Sequence, residues 1–204
     1  MRIAIFGGAF DPPHNGHLAV ISKLLNSGLF GKVLVVPSGD RPDKLNRTPS
    51  AERVQMTKLA LNDSFSEQSN VELFTDQALG KIGYGTIDLI REISTRYPND
   101  ELSIIIGDEL IKDLPLWKEA DHLRTLANFV VLARPGTSGD TSIGNFKIEH
   151  LDLQPEVGML LSSSYLRDSI KCGRVVAGFI PSIVFGYISL RKLYKSMEIS
   201  DARN

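Results

Sequence analysis

The sequence predicts an α/β protein built on a doubly wound, mainly parallel sheet. Short apolar runs rich in β-branched residues alternate with helical patterns along most of the chain, the arrangement that produces parallel strands joined by crossover helices. A length of 204 residues with 42% hydrophobic content suits one domain, residues 1–204, with a substantial core. The first apolar run also ends in two adjacent glycines and a turn that opens a helix, so a ligand site is expected outside the carboxyl end of that strand.

The elements follow in order. Ile3–Phe6 is an unbroken apolar run and the first strand; Gly7-Gly8 ends it, and a helix is expected over His17–Asn26. Lys32–Val36 is the second strand, closed by Pro37-Ser38-Gly39, and Ala51–Asn62 is the next helix. Val71–Phe74 precedes a helical pattern over Thr86–Tyr97. Leu102–Ile106 is a third long apolar run, followed by short helical patterns at Asp108–Lys112 and Ala120–Thr125. Asn128–Leu132 and Phe146–His150 complete the strands. The last third is helical, from Ser163 through Ile170 and from Pro181 through Tyr194, ending in a frayed polar tail at Glu198–Asn204. Polar, Pro- and Gly-containing stretches at Ser38–Pro49 and Gly136–Ser142 read as mobile loops.

Composition narrows the class. A formal net charge of −1 gives no general nucleic-acid footprint, and no run of about 18 apolar residues is present to span a membrane. The opening Met1-Arg2-Ile3 runs straight into a strand, so a cleavable signal is not expected. The single cysteine, Cys172, fits a reducing cytoplasm and has no paired base beside it in sequence.

The segment Gly7-Gly8-Ala9-Phe10-Asp11-Pro12-Pro13-His14-Asn15-Gly16-His17 carries the chemistry. Backbone N–H groups and two imidazoles presented at a helix N-terminus suit a polyphosphate. Other glycine-rich readings fail on spacing. The glycines are adjacent rather than G-x-G-x-x-G, no acidic residue ends the second strand, and no G-x-x-x-x-G-K-[ST] occurs. His-x-x-His has no third ligand at metal-site spacing, so no protein-held metal is expected. Late in the chain, Leu161-Ser162-Ser163-Ser164-Tyr165-Leu166-Arg167 offers a capped helix start with an arginine four residues after Ser163, on the same helical face.

The first segment resembles the G-x-F-D-P-x-H-x-G-H signature of the HxGH nucleotidylyltransferase superfamily. The second resembles its I-S-S-T-x-[IV]-R motif, with Leu161 for isoleucine and Ser164 for threonine. With Lys44, Glu52–Ala60, Ile106-Gly107-Asp108, Trp117, Arg134-Pro135-Gly136 and the Phe179–Ile188 ending, the chain is similar over nearly its whole length to the bacterial nicotinate mononucleotide adenylyltransferases. That resemblance implies a Rossmann-like fold with C-terminal helices. It also implies transfer of the adenylyl group of ATP to nicotinate mononucleotide, with Mg²⁺ accompanying ATP.

The implied catalytic residues are His14, His17, Lys44 and Arg167. ATP falls to Gly7, Gly8, Phe10, His14, His17, Ser163, Ser164 and Arg167. The pyridine mononucleotide falls to Lys44, Thr86, Asp108, Trp117 and Arg134. Two departures bear on the pyridine: Asp43 stands where a histidine usually precedes the lysine, and Gly85 stands where an aromatic usually precedes the threonine. Nicotinamide mononucleotide, another phosphorylated acceptor such as phosphopantetheine, and a non-catalytic nucleotide sensor remain as alternatives. Partners are therefore ATP and a pyridine mononucleotide, with neither nucleic acid nor membrane; homo-oligomerisation is left open.

Overall fold

A computed structural model describes residues 1–40, 48–133, 145–152 and 161–194. Its strands are β1 (Arg2–Gly8), β2 (Lys32–Pro37), β3 (Val71–Leu73), β4 (Glu101–Gly107), β5 (Asn128–Ala133) and β6 (Ile148–Asp152). Its helices are α1 (Asn15–Asn26), α2 (Ser50–Phe65), α3 (Thr86–Arg96), α4 (Ala120–Leu126), α5 (Ser163–Lys171) and α6 (Ser182–Leu190), with a 3₁₀ helix at Asp108–Leu116. The described strands form one sheet in the order β3-β2-β1-β4-β5-β6, and every pair is parallel.

That order reverses direction between β1 and β4, where crossovers leave on opposite faces and open a crevice at the carboxyl ends of the strands. Because both faces are covered, the central strands are apolar on both sides and alternate residues feed two cores. Ile5, Leu34, Ile104 and Phe129 pack with Ile87, Ile90 and Ile93 of α3 on one face. Ala4, Val33, Val35, Ile105 and Val130 pack with Ile21 and Leu24 of α1 on the other. A third apolar cluster joins Met56 and Ala60 of α2 to Leu166 of α5 and to Val184 and Ile188 of α6. The C-terminal helices therefore dock on α2 rather than on the sheet.

Several boundaries differ from the sequence expectation, among them α2, which runs Ser50–Phe65 rather than Ala51–Asn62. β6 begins at Ile148 rather than Phe146, because the Phe146 ring leaves the strand and packs edge-on to Phe129 at 5.3 Å. The segment from Asp108 is a 3₁₀ helix continuing past Lys112 to Leu116; Pro115 lies inside it, where it has no N–H to give. The last helix stops at Leu190, and the chain turns so that Lys192 and Tyr194 take positive φ values of 54° and 63°.

Phe129 is fully buried near the start of β5 and also touches Trp117, ring centroids 6.2 Å apart. Phe129→Ala should lower unfolding free energy by about 3–5 kcal/mol in urea titrations. It should also loosen Trp117, read as a broadened tryptophan fluorescence spectrum in the folded protein.

Candidate functional site

The β1–α1 turn is shaped by contacts only small residues permit. Phe10 is buried in a left-handed conformation, φ 49°, and its ring lies 4.8 Å from that of His17 and 5.6 Å from that of Phe6. A Cβ at Gly8 would stand 3.2 Å from the Phe10 ring, so glycine there lets the ring fold back. Gly16 does the same for His14: a Cβ would lie 3.0 Å from His14 Nδ1. This explains the glycine between the two histidines by packing.

His14 is the N-cap residue of α1, and its ring stacks on His17 with centroids 3.7 Å apart. The His14 backbone N–H donates to His17 Nδ1 at 3.2 Å. A nitrogen that accepts cannot carry the proton, so the neutral ring of His17 keeps its proton on Nε2 as a donor. Burial pushes His14 down to about 4; burial and then the neighbouring His14 hold His17 well below its ordinary value. Both imidazoles are neutral donors at neutral pH. His14 Nδ1 has no hydrogen-bond partner although it is buried.

The second motif reaches this turn across the molecule. Ser163 Oγ donates to the Pro12 carbonyl at 2.9 Å, and Arg167 Nη1 donates to the Asp11 carbonyl at 2.7 Å. Arg167 Nη2 donates to Ser164 Oγ at 3.1 Å. Ser162 caps α5, its hydroxyl accepting from the Tyr165 N–H. The hydroxyls expected to face an anion thus hold the turn and Arg167, while the Arg167 side chain stays 32% exposed and open to a ligand.

On the other side of Gly7 and Gly8 lies a cavity of about 510 Å³. Tyr84, Thr86 and Trp117 line it with Ser38, Gln77 and Glu109, over a floor of Ile5 and Ile104–Ile106. Flat apolar walls with a few polar groups suit an aromatic ring bearing a polar edge. Thr86 is the first residue of α3, whose N-terminal N–H groups favour a negative group. Asp108 begins the 3₁₀ helix and accepts from the Glu109 N–H at 3.1 Å; the neighbouring Glu109 and Leu110, rather than Asp108, line the cavity. Lys44, Asp43 and Arg134 lie outside the described residues.

Several residues escaped the sequence reading of the site. Arg53 is fully buried and donates to the Ala9 carbonyl at 2.8 Å, the Thr48 carbonyl at 2.8 Å and Asp40 Oδ1 at 3.0 Å. It ties the segments following β1 and β2 together. Burial tends to raise the Asp40 carboxyl, but the Ser50 N–H and Arg53 outweigh that and hold it low. The signal was periodicity: Arg53 shares its helical stripe with Met56, Thr57, Ala60 and Leu61, all buried. Asp11 is 1% exposed and accepts from Tyr194 Oη at 2.7 Å and the Thr48 N–H at 3.3 Å. Tyr84, one position before the Gly85-Thr86 pair, lines the cavity together with Thr86.

The chain matches the cytidylyltransferase-like family model over residues 5–169. It is 36% identical over 199 residues to the nicotinate-nucleotide adenylyltransferase of Bacillus subtilis, covering 96% of this chain and 99% of that one. The chain belongs to the nicotinate-nucleotide adenylyltransferases of the cytidylyltransferase-like family. A probable nicotinate-nucleotide adenylyltransferase of Shouchella clausii is 32% identical over 195 residues, 95% of this chain and 96% of the relative. The solved Plasmodium falciparum nicotinic acid mononucleotide adenylyltransferase complexed with NaAD superposes with a TM-score of 0.80 at 25% identity, over 95% of this chain and 97% of that one. Among the described residues, no helix is long and apolar enough to cross a membrane.

The neutral histidines make apo stability pH-dependent. The unfolded chain takes up protons at these sites from about pH 6.5 downward, while folded His14 resists until about 4. Stability from this source is complete above pH 6.5 and lost as pH falls through that window. The melting temperature should therefore drop between pH 6.5 and 4, less steeply in His14→Asn; equal slopes would show that His14 is not held neutral.

Proposed function

We propose that ATP lies with its triphosphate over the β1–α1 turn, between the N-termini of α1 and α5, and that the pyridine mononucleotide fills the cavity beside Gly7 and Gly8. The observation that carries this reading is the position of those glycines. They border the cavity on one side and lead into the paired histidines and Arg167 on the other, so two substrates meet across them. The reaction is transfer of the adenylyl group of ATP to nicotinate mononucleotide, giving deamido-NAD and pyrophosphate.

The acceptor 5′-phosphate is already anionic at neutral pH, so no protein nucleophile is required. It attacks the α-phosphorus in line, forming the new P–O bond as the bond to pyrophosphate breaks. Catalysis is then positioning and charge stabilisation. His17 donates from Nε2–H without titrating, and His14 stacks against it and fixes its tautomer through the backbone. Arg167, with Lys44 from the basic segment, neutralises charge developing on the leaving pyrophosphate. Mg²⁺ bound to ATP would supply further charge neutralisation on the triphosphate, beside Arg167 and Lys44. Among the described residues, no group of three or more His, Cys, Asp or Glu stands ready to hold a metal by protein ligands alone.

In the cavity, Trp117 and Tyr84 face the pyridine, and the N-terminal N–H groups of α3 at Thr86 receive its carboxylate. Those donors favour nicotinate over nicotinamide, whose amide also needs an acceptor. Asp108 and Arg134 contact the nucleotides at the strand ends that precede them. The same reading takes residues 1–204 as one domain working in the cytoplasm.

Pyrophosphate release should appear with ATP, Mg²⁺ and nicotinate mononucleotide, and be far weaker with nicotinamide mononucleotide. The reverse preference would overturn the assignment at α3. His17→Ala should lower kcat on the order of a hundredfold; near-normal turnover would remove His17 from the reaction.

A further inference from the structure

Tyr194 lies beyond every motif that the reaction draws on, yet the fold delivers it to the phosphate side of the site. Near the end of α6 and just beyond it, Tyr187 Oη and Arg191 Nη2 both donate to the Glu52 carboxylate, each at 2.6 Å, clamping the end of α6 onto α2. The chain then reverses with the Leu193 N–H on the Ile188 carbonyl at 3.0 Å. Lys192 and Tyr194 both occupy the left-handed region, which non-glycine residues hold only where the surroundings impose it. This turn carries the Tyr194 phenol onto Asp11 Oδ1 at 2.7 Å, with Met56 Sδ at 3.9 Å.

Asp11 is a buried carboxylate in a long ion pair with the Arg167 guanidinium, 3.8 Å away, while the hydrogen bond of Arg167 Nη1 goes to the Asp11 main-chain carbonyl. A buried carboxylate must be surrounded by donors, and a two-pronged guanidinium is the strongest one available. Here Tyr194 serves Oδ1 and the Thr48 N–H serves Oδ2. We propose that Tyr194 is a positioning residue: by satisfying the Asp11 carboxylate, it keeps Arg167 from folding onto that carboxylate and leaves the guanidinium available to the triphosphate. The phenol suits the task, because burial and the adjacent Asp11 charge raise its pKa far above the ordinary value and keep it a donor. The proposal rests on the reading of Arg167 as a phosphate ligand.

The test is calorimetric binding of ATP with Mg²⁺ and, separately, of nicotinate mononucleotide. Tyr194→Phe should weaken ATP binding about tenfold, the equivalent of one charge-assisted hydrogen bond, and change mononucleotide binding less than twofold. On an Asp11→Asn background, which lacks the competing carboxylate, Tyr194→Phe should add less than twofold; on an Arg167→Ala background it should add nothing. Persistence of the ATP effect on the Asp11→Asn background, or equal weakening of both ligands, would reduce Tyr194 to holding the C-terminal turn and overturn the proposal. Arg167→Ala with unchanged ATP binding would instead remove Arg167 from the phosphate site, and the proposal with it. Weakening by Arg167→Ala but not by Tyr194→Phe would overturn the Tyr194 role alone.

Discussion

Two main-chain carbonyls in the β1–α1 turn, those of Asp11 and Pro12, hold together parts of the chain some 150 residues apart. They accept from Arg167 and Ser163 at separations of 156 and 151 residues. Without those bonds, α5 would still pack on α2 through Leu166, but its start would lose its direct hydrogen bonds to the turn that carries the histidines. A site for a polyphosphate needs donors from both segments at fixed spacing, because charge stabilisation depends on geometry set before the ligand arrives. Of the serine motif only the Ser163 hydroxyl donates in that joining; Ser162 and Ser164 accept from the Tyr165 N–H and from Arg167, which keeps their O–H groups as donors.

The surrounding construction protects this junction. Arg53, fully buried, bonds the carbonyls of Ala9 and Thr48 and the Asp40 carboxylate, so the segments after β1 and β2 move with α2. The third apolar cluster fixes α5 and α6 to the same helix. One helix is therefore the common support for the turn, the second motif and the C-terminal reversal. The cavity beside Gly7 and Gly8 rests instead mainly on α3, the 3₁₀ helix and the β5 core, through the contact of Trp117 with Phe129.

Much of the fold was legible in the sequence because a parallel sheet covered on both faces writes itself as apolar runs. β1, β2, β4 and β5 fall within one or two residues of those runs, while β6 shifted because Phe146 prefers an aromatic contact to a strand position. The histidines, the serine motif and Trp117 were legible as residue types at motif spacing. Arg53 and Tyr194 were not legible as parts of the site, since each acts through partners from several distant segments. Tyr84 fell outside the motif by a single position.

What the sequence determined by itself was the alternation of strands and helices, the turn chemistry after β1, and the family these imply. Each depends on neighbours a few residues apart. The tertiary structure alone decided the neutrality of the histidines, the sharing of Asp11 among Tyr194, Thr48 and Arg167, and the cavity on the far side of Gly7 and Gly8. Those follow from burial and from distances between groups remote in sequence, where the cost of desolvating a charge and the direction of each donor are set by packing rather than by spacing along the chain.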